Sequence, residues 1–491
     1  MFDMFTPDEI TNQLSSIDFD YYPFQREDIP WFFKNSRSLN LYEQRLGKTV
    51  VTSTVLALDS RCKRVLIACP KNAFLEWCDH ITKFFKLLCP NRGIEIRIIR
   101  GKGSTAALDR QEIYLREPTQ PNNTIVYITS FAALLRDKLF LQLPSTIKRI
   151  GHFDTVIGDE VHKCLRNRKT ETAKCFKWLT SLKWCNRVHL LSGTLSGKNG
   201  PPDLWTCLNL CNPGYFSSYW RLVDAFMHVD DFGYGKVVGE IRTENIQNWY
   251  KLLDLYSRRR FRRIERPNMP KIIRSLRAVD ATNEQIKLVA QLKSKILIHP
   301  SEQMTVISSS IEEPLRLRQI LICPKILDPI YGYGAPITDL IERLQDPESC
   351  PTDEDKHLVI FTPYAKALPF FEQALREAGF KNIFLLQGGI EPEEQRIRVA
   401  EYRRTKGIIL CTIKYAEAFS LAGAEQCVFI GYEWDPNENK QAEDRLIPQS
   451  GDLSINAFYY YSPGIDEFIA EYVNIKNQRI TITIGNVSNT K

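Results

Sequence analysis

Short apolar runs recur along the first part of the chain: SLNLYE at 38–43, RVLIAC at 64–69, TIVYIT at 124–129, DTVIGD at 154–159 and RVHLLS at 187–192. Each is nearly continuous in its apolar character, which predicts a buried strand covered on both faces. After Asn72, the residues Trp77, Ile81, Phe84, Phe85 and Leu88 fall at helical spacing and predict a covering helix. Strands alternating with helices predict a parallel α/β sheet with ligands at the strands' C-terminal ends. The rhythm restarts near residue 355, with HLVIFT (357–362), NIFLLQ (382–387), GIILCT (407–412), CVFIGY (427–432) and AFYYYS (457–462). Helix-like segments lie between them at 364–377, 391–404 and 437–447. We therefore expect an N-terminal lobe at 1–212, a more helical and irregular region at 213–350, and a second, similar lobe at 351–491. Gly332, Gly334 and Pro336 mark a loop before that lobe.

Composition changes this picture little. The 491 residues are 43% hydrophobic and 25% charged, with a formal charge of +7. So modest an excess demands no polyanionic partner unless the cations cluster, as they do in SRRRFRRIER at 257–266. That cluster can be a solvated face or a contact for phosphates or for the other lobe. No run of 18 apolar residues occurs, which predicts no membrane span, and the N-terminal MFDMFTPDEITNQL lacks a signal pattern. The 13 cysteines contain no C-x-x-C pair, which argues against a zinc site and fits a reducing, cytoplasmic setting.

The candidate chemistry begins in LYEQRLGKTVV, residues 41–51. Gly47-Lys48-Thr49 is the tail of a phosphate-binding loop, but the outer glycine is replaced by Tyr42 and Arg45 sits inside. Alone, the tripeptide is either an exposed turn or a cradle of backbone N–H groups at a helix start. In a cradle, Lys48 reaches the β- and γ-phosphates and Thr49 holds Mg²⁺. The strand VIGDEVH (156–162) ends in Asp159 and Glu160. Adjacent acids at a buried strand's end are costly unless they cap, reach solvent or face a metal. In a P-loop ATPase the first acid completes the Mg²⁺ shell and the second orients the attacking water.

DEVHKCLRN resembles the D-E-x-H motif of helicase superfamily two, and its extension to Asn167 resembles the Swi/Snf-type branch. LLSGTLSGKNGPPDLWTCLNLCNP (190–213) is similar to that branch's motif III, YYPFQREDIPWF (21–32) to its glutamine motif, LIACPKNAFLEW (66–77) to motif Ia, and ITSFAAL (128–134) to the next DNA-side motif. LRLRQILICP (315–324), VIFTPY, LLQGGIEPEEQR and GYEWDPNENKQAEDR (431–445) follow in family order. The resemblance implies two RecA-like lobes with a nucleotide cleft between them, and an ATP- and Mg²⁺-using motor on DNA. It implies ATP ligands Gln25, Leu46, Gly47, Lys48, Thr49 and Gln441, and catalytic Lys48, Asp159, Glu160 and Arg445. Mg²⁺ would be held by Thr49 and Asp159. His162, Ser192, Gly193 and Thr194 would couple the lobes. Pro70, Lys71, Thr129, Ser130, Thr362 and Thr412 would face nucleic acid.

Three positions depart from the family pattern. Tyr42 and Arg45 stand for an acid and a glycine; AEAFSL (416–421) replaces a glycine-rich motif V; and Pro448 stands where a second arginine is usual. Arg45 is expected to point out of the cradle. The expected output is movement along duplex DNA, or remodelling of forks and four-way junctions by branch migration or unwinding, by a monomer of compact phage or bacterial type. An RNA helicase and a DNA-binding scaffold with weak ATPase activity are the alternatives.

Overall fold

The computed structural model describes residues 6–101, 105–120, 123–181, 183, 185–193, 200–231, 236–301, 304–307, 309, 312–346, 357–388, 390, 392–405, 407–416, 421–448 and 454–465. The chain divides at Pro267/Asn268 into two compact units. The division falls inside the stretch 213–350, whose residues are shared between the units.

The first unit carries strands β1 (Arg37–Tyr42), β2 (Arg64–Ala68), β3 (Ile94–Ile98), β4 (Thr124–Thr129), β5 (Thr155–Asp159) and β6 (Arg187–Leu191). A hairpin, β7 (Met227–Asp231) with β8 (Lys236–Ile241), and then β9 (Ser257–Arg260) follow. The main sheet has the order β3-β4-β2-β5-β6-β1-β9, and its strand pairs are all parallel. Its central strands are buried along their length, which is why they read as unbroken apolar runs. Helices α1 (Pro7–Ser15), α2 (Pro23–Lys34), α3 (Lys48–Leu58) and α4 (Phe74–Leu88) pack with them. All five apolar residues expected on one face of α4 are buried.

The second unit carries β10 (Ile272–Ala278), a short hairpin of β11 (Ile296–Ile298) and β12 (Met304–Val306), then β13 (His357–Thr362), β14 (Ile383–Leu386), β15 (Gly407–Thr412), β16 (Gln426–Ile430) and β17 (Ile455–Tyr461). Its sheet has the order β10-β17-β16-β13-β15-β14 and is again parallel throughout. The expected α/β class with two parallel sheets flanked by helices is what the chain forms. Among the described residues no helix is long and apolar enough to cross a membrane.

One strand of the first sheet has no apolar signature. β9 is S-R-R-R, yet it pairs in register with Leu39–Tyr42 of β1. Its arginines are matched by acids: Arg260 reaches Asp28 at 2.7 Å and Glu27 at 2.8 Å, and Arg259 reaches Asp254 at 2.7 Å. The basic cluster is therefore neither a bare solvated face nor wholly available to phosphates. It closes the sheet edge with charge, which discourages further strand pairing.

Candidate active site

In the first sheet β5, β6 and β1 are neighbours, and because they are parallel their C-terminal ends lie on one edge. Leu191 of β6 is level with Asp159 on one side and with Asn40 on the other. The loop after β1, the acid pair after β5 and Ser192-Gly193 after β6 thus converge, although they are far apart in sequence. A parallel sheet places its ligand site at such an edge.

The loop is shaped by two left-handed residues, Arg45 at φ 64° and Gly47 at φ 78°. Gly47 leads directly into α3, whose first-turn N–H groups have no carbonyl one turn earlier to bind. A helix start of this kind presents donors and partial positive charge to an anion. The space over Gly47 is spoken for: a Cβ there would lie 2.4 Å from Gln25 Nε2. Gln25, buried on α2, donates to the Leu46 carbonyl at 2.9 Å and accepts from the Tyr22 N–H at 3.2 Å. It braces the loop, and one further amide hydrogen remains for a ligand. Glu43 also fastens the loop, donating its N–H to Arg260 O at 3.0 Å and accepting from Arg262 N at 2.7 Å. Arg45 is half-buried.

Tyr42, at the outer-glycine position, is the last residue of β1 rather than part of the loop. It is fully buried, and its hydroxyl donates to Asp28 at 2.7 Å. Burial, and then the nearby Asp28 carboxylate, push that phenol well above its usual pKa. The Asp28 carboxylate also takes two 2.7 Å bonds from Arg260.

Lys48 opens α3. Its ammonium donates to Tyr42 O at 3.3 Å. A Cβ on Gly193 would lie 3.3 Å from the same Nζ. Asp159, 7% exposed, accepts from Trp77 Nε1 at 2.9 Å and from the Glu160 N–H at 3.0 Å. Burial, reinforced by the Glu160 charge, raises the Asp159 pKa. Glu160 goes the other way: burial would raise it, but Lys48 and then His162 outweigh burial and hold it well below the carboxylate range. Glu160 has φ 51°, an uncommon conformation for a side-chain-bearing residue. Its Oε2 lies 3.2 Å from His162 Nδ1 but accepts no aligned hydrogen bond among the described residues. The imidazole instead pairs with Ser192 Oγ at 2.9 Å. Two carboxylates with opposed pKa shifts beside one ammonium are a polar centre with unspent acceptor capacity. It fits a nucleotide's phosphates with a hard cation. Among the described residues no cluster of three His, Cys, Asp or Glu occurs, so a cation here would share its shell with phosphate oxygens, as Mg²⁺ commonly does.

Thr49 lies in the first turn of α3. Pro70 caps a short 3-10 turn that begins with exposed Lys71. Thr129 ends β4 fully buried, and Ser130 caps the next helix by accepting from Ala133 N at 3.2 Å. In the second unit Thr362 and Thr412 end β13 and β15, the first buried and the second half-buried. Gln441 is buried in the helix Pro436–Asp444, and Arg445 follows it with its carbonyl accepting from Leu421 N at 2.8 Å. Glu443 anchors that helix through Arg274, at 2.6 and 2.8 Å, and through the Tyr459 hydroxyl at 2.9 Å. Thr194 and residues 417–420 of AEAFSL lie outside the described residues.

Sequence reasoning used Trp77 only as core, yet its indole N–H fixes Asp159. The signal was available, because a tryptophan on a fully buried helix face must find an acceptor for its N–H. The Tyr42–Asp28–Arg260 network had no such signal, since its members are joined only by the pairing of β1 with β9.

A family model described as the SNF2-related domain matches residues 24–326. The chain is similar to a probable chromatin-remodeling complex ATPase chain of Oryza sativa subsp. japonica, 22% identical over 442 residues, covering 85% of this chain and 36% of that protein. It is likewise similar to the DNA annealing helicase and endonuclease ZRANB3 of Bos taurus, 22% identical over 497 residues, covering 96% and 41%. This chain thus spans well under half the length of either relative. Among solved structures, the SWI2/SNF2 ATPase core of Sulfolobus solfataricus in complex with double-stranded DNA covers 95% of this chain and 94% of its own, at 17% identity and a TM-score of 0.41.

Proposed function

The chain belongs to the SNF2-related family, and on that premise we propose that it is an ATP-hydrolysing motor that moves along or remodels DNA. The observation that carries this reading is the convergence of Lys48, Asp159 and Glu160 at the shared edge of β1, β6 and β5. Lys48 and the α3 N-terminus bind the nucleotide's phosphates, while Gln25 and Leu46 hold the loop in shape. Thr49 and Asp159 are the proposed Mg²⁺ ligands, with Trp77 orienting Asp159. Bound Mg²⁺ would supply positive charge shared between the carboxylates and the phosphate oxygens. Glu160, kept ionised by Lys48, accepts a hydrogen bond from the attacking water and orients it. His162 and Ser192 link the acid pair to the segment after β6, a route by which the state of the site reaches the rest of the unit. Gln441 and Arg445 are the second unit's proposed contributors, Arg445 as the cation for the transferring phosphate.

DNA is the proposed track, held mainly through backbone phosphates, which makes binding tolerant of sequence and sensitive to salt. Lys71 is the exposed cation among the proposed contacts, beside Pro70, Ser130 and Thr412, whereas Thr129 and Thr362 are fully buried and would act only by shaping the strand ends that carry their neighbours. Forks and four-way junctions are the proposed preferred substrates, and a monomer the working unit. Twelve free cysteines among the described residues support a reducing compartment. The test is ATP turnover with duplex DNA, single-stranded DNA and RNA in turn. Stimulation by duplex, with Lys48→Ala and Glu160→Gln each lowering turnover at least about a hundredfold, is expected. Stimulation by RNA alone would mean an RNA helicase, and unchanged turnover in both variants a scaffold.

A further inference from the structure

The helix pair that follows the acid motif builds a basic cavity that the nucleotide site does not use. A space of about 480 Å³ opens with Arg168, Lys169, Lys174 and Lys177 on one side. That volume suits a ligand of nucleotide size better than a single small ion. Glu171 takes up Lys174 at 2.7 Å and Lys138 at 3.4 Å. Arg168, Lys169 and Lys177 have no such carboxylate among the described residues.

The opposite wall comes from the helix Trp205–Cys211. Thr206 is 4% exposed and Trp205 8% exposed, and neither Thr206 Oγ1 nor Trp205 Nε1 has a hydrogen-bond partner among the described residues. A buried donor left without an acceptor costs about 1–3 kcal/mol, so an acceptor bound in this cavity that reached the two donors would relieve both. Asn209 spends one of its two amide hydrogens on Phe216 O at 3.0 Å, and the second remains.

The chemistry of that acceptor can be narrowed. The Trp205 ring is packed edge-on against Tyr219 at 6.0 Å, with Lys177 Nζ 5.7 Å from its centre, so its face is not open for a base to stack on. The Arg168 guanidinium carbon sits over Tyr219, 3.7 Å from the ring centre, and is held by that ring rather than by a carboxylate. What remains is two lysine point charges, one fixed guanidinium, a hydroxyl, an indole N–H and one amide hydrogen. This set matches an acceptor-only group of multiple negative charge. We infer that this cavity is a binding site for phosphoryl groups, distinct in all its residues from the Lys48 loop. Free phosphorylated small molecules and the phosphodiester backbone of DNA share that chemistry.

The inference does not rest on the ATPase reading. Its test uses the full chain carrying Lys48→Ala, so that the nucleotide loop contributes little, with inorganic pyrophosphate and a short DNA duplex as separate probes in calorimetry. Lys169→Gln/Lys177→Gln alters two exposed side chains and should leave the fold intact. Thr206→Val removes the orphan hydroxyl alone. At least tenfold weaker binding in the double variant is expected, a weaker but same-direction loss in Thr206→Val, and, for duplex, a shallower dependence of affinity on salt. Loss for pyrophosphate as well as duplex assigns the site to free phosphoryl ligands, and loss for duplex alone assigns it to the backbone. Unchanged binding of both probes in the double variant, or binding of neither by the parent chain, overturns the inference. Turnover of ATP by the same double variant with Lys48 intact, and without DNA, should equal that of the parent, so a failure of the motor reading is seen separately.

Discussion

Removal of the Asp28 carboxylate is the sharpest test of how the loop is held. Asp28 is 1% exposed and is the meeting point of α2, the end of β1 and β9. It accepts from the Tyr42 hydroxyl and twice from Arg260, each at 2.7 Å, with Arg258 3.5 Å away. Asp28→Ala leaves the Arg260 guanidinium, 19% exposed, with Glu27, itself 71% exposed, and Glu265. It also leaves the buried Tyr42 hydroxyl without its acceptor. Breaking a buried pair by deleting one partner costs about 3–5 kcal/mol, and an orphaned hydroxyl adds about 1. Because Arg260 keeps two other acids, the lower end applies, and a loss of about 3–4 kcal/mol is expected. Seven of the eight tryptophans precede Pro267, so fluorescence in urea reports the first unit. Asp28→Ala/Arg260→Met should recover a large part of the loss, since the uncompensated charge leaves with the arginine. A loss under about 1 kcal/mol in Asp28→Ala at unchanged urea slope would refute the claim that this network supports the loop.

Three further outcomes follow from the site. Trp77→Phe deletes the N–H that orients Asp159, and groups behind a metal ligand typically matter about 10–100-fold in metal affinity. The Mg²⁺ concentration for half-maximal turnover should rise by that factor while turnover at saturating Mg²⁺ stays near normal; an unchanged Mg²⁺ dependence removes Trp77 from the site. Burial of His189, which pairs with Ser38 at 2.9 Å, pushes its imidazole from 6.5 down to about 4. The unfolded chain therefore binds the extra proton first as pH falls. Stability is complete above about pH 6.5 and is lost toward pH 4, by up to about 3 kcal/mol at 1.36 kcal/mol per pH unit. His189→Asn should flatten urea midpoints measured across that window, and an unaltered slope counts against the assignment. Lys48→Ala and Glu160→Gln complete the set through ATP turnover.

Where residues were read correctly from sequence, burial on both faces did the work. β2, β4, β5, β6, β13 and β15 lie within a residue of the apolar runs, because nothing but buried sheet accommodates them. β3, β9 and β10 were missed. β3 is half-buried at the sheet edge, and β10 is exposed over most of its length and held by its ladder to β17. β9 is held by ladder and ion pairs with no apolar burial to betray it. The site followed the same logic. Lys48, Asp159 and Glu160 were legible because their chemistry is local in sequence, and parallel pairing brings them to one edge. Trp77 was visible as a core residue but not as a donor, since its partner lies 82 residues away.

The position of β1 also governs when the site can exist. β1 is made early but pairs with β6 and β9, and its Ser38 contact with His189 spans 151 residues while the Asp28–Arg260 bonds span 232. At ribosomal speeds of about 5–20 residues per second, roughly 8–30 s pass between the emergence of the loop and that of its first strand neighbour. Through that interval the nascent loop has no sheet to be mounted on, and nucleotide cannot assist folding by binding early. An interrupted chain ending before residue 187 would expose an unpaired apolar strand to chaperones or aggregation rather than release a miniature nucleotide-binding fragment.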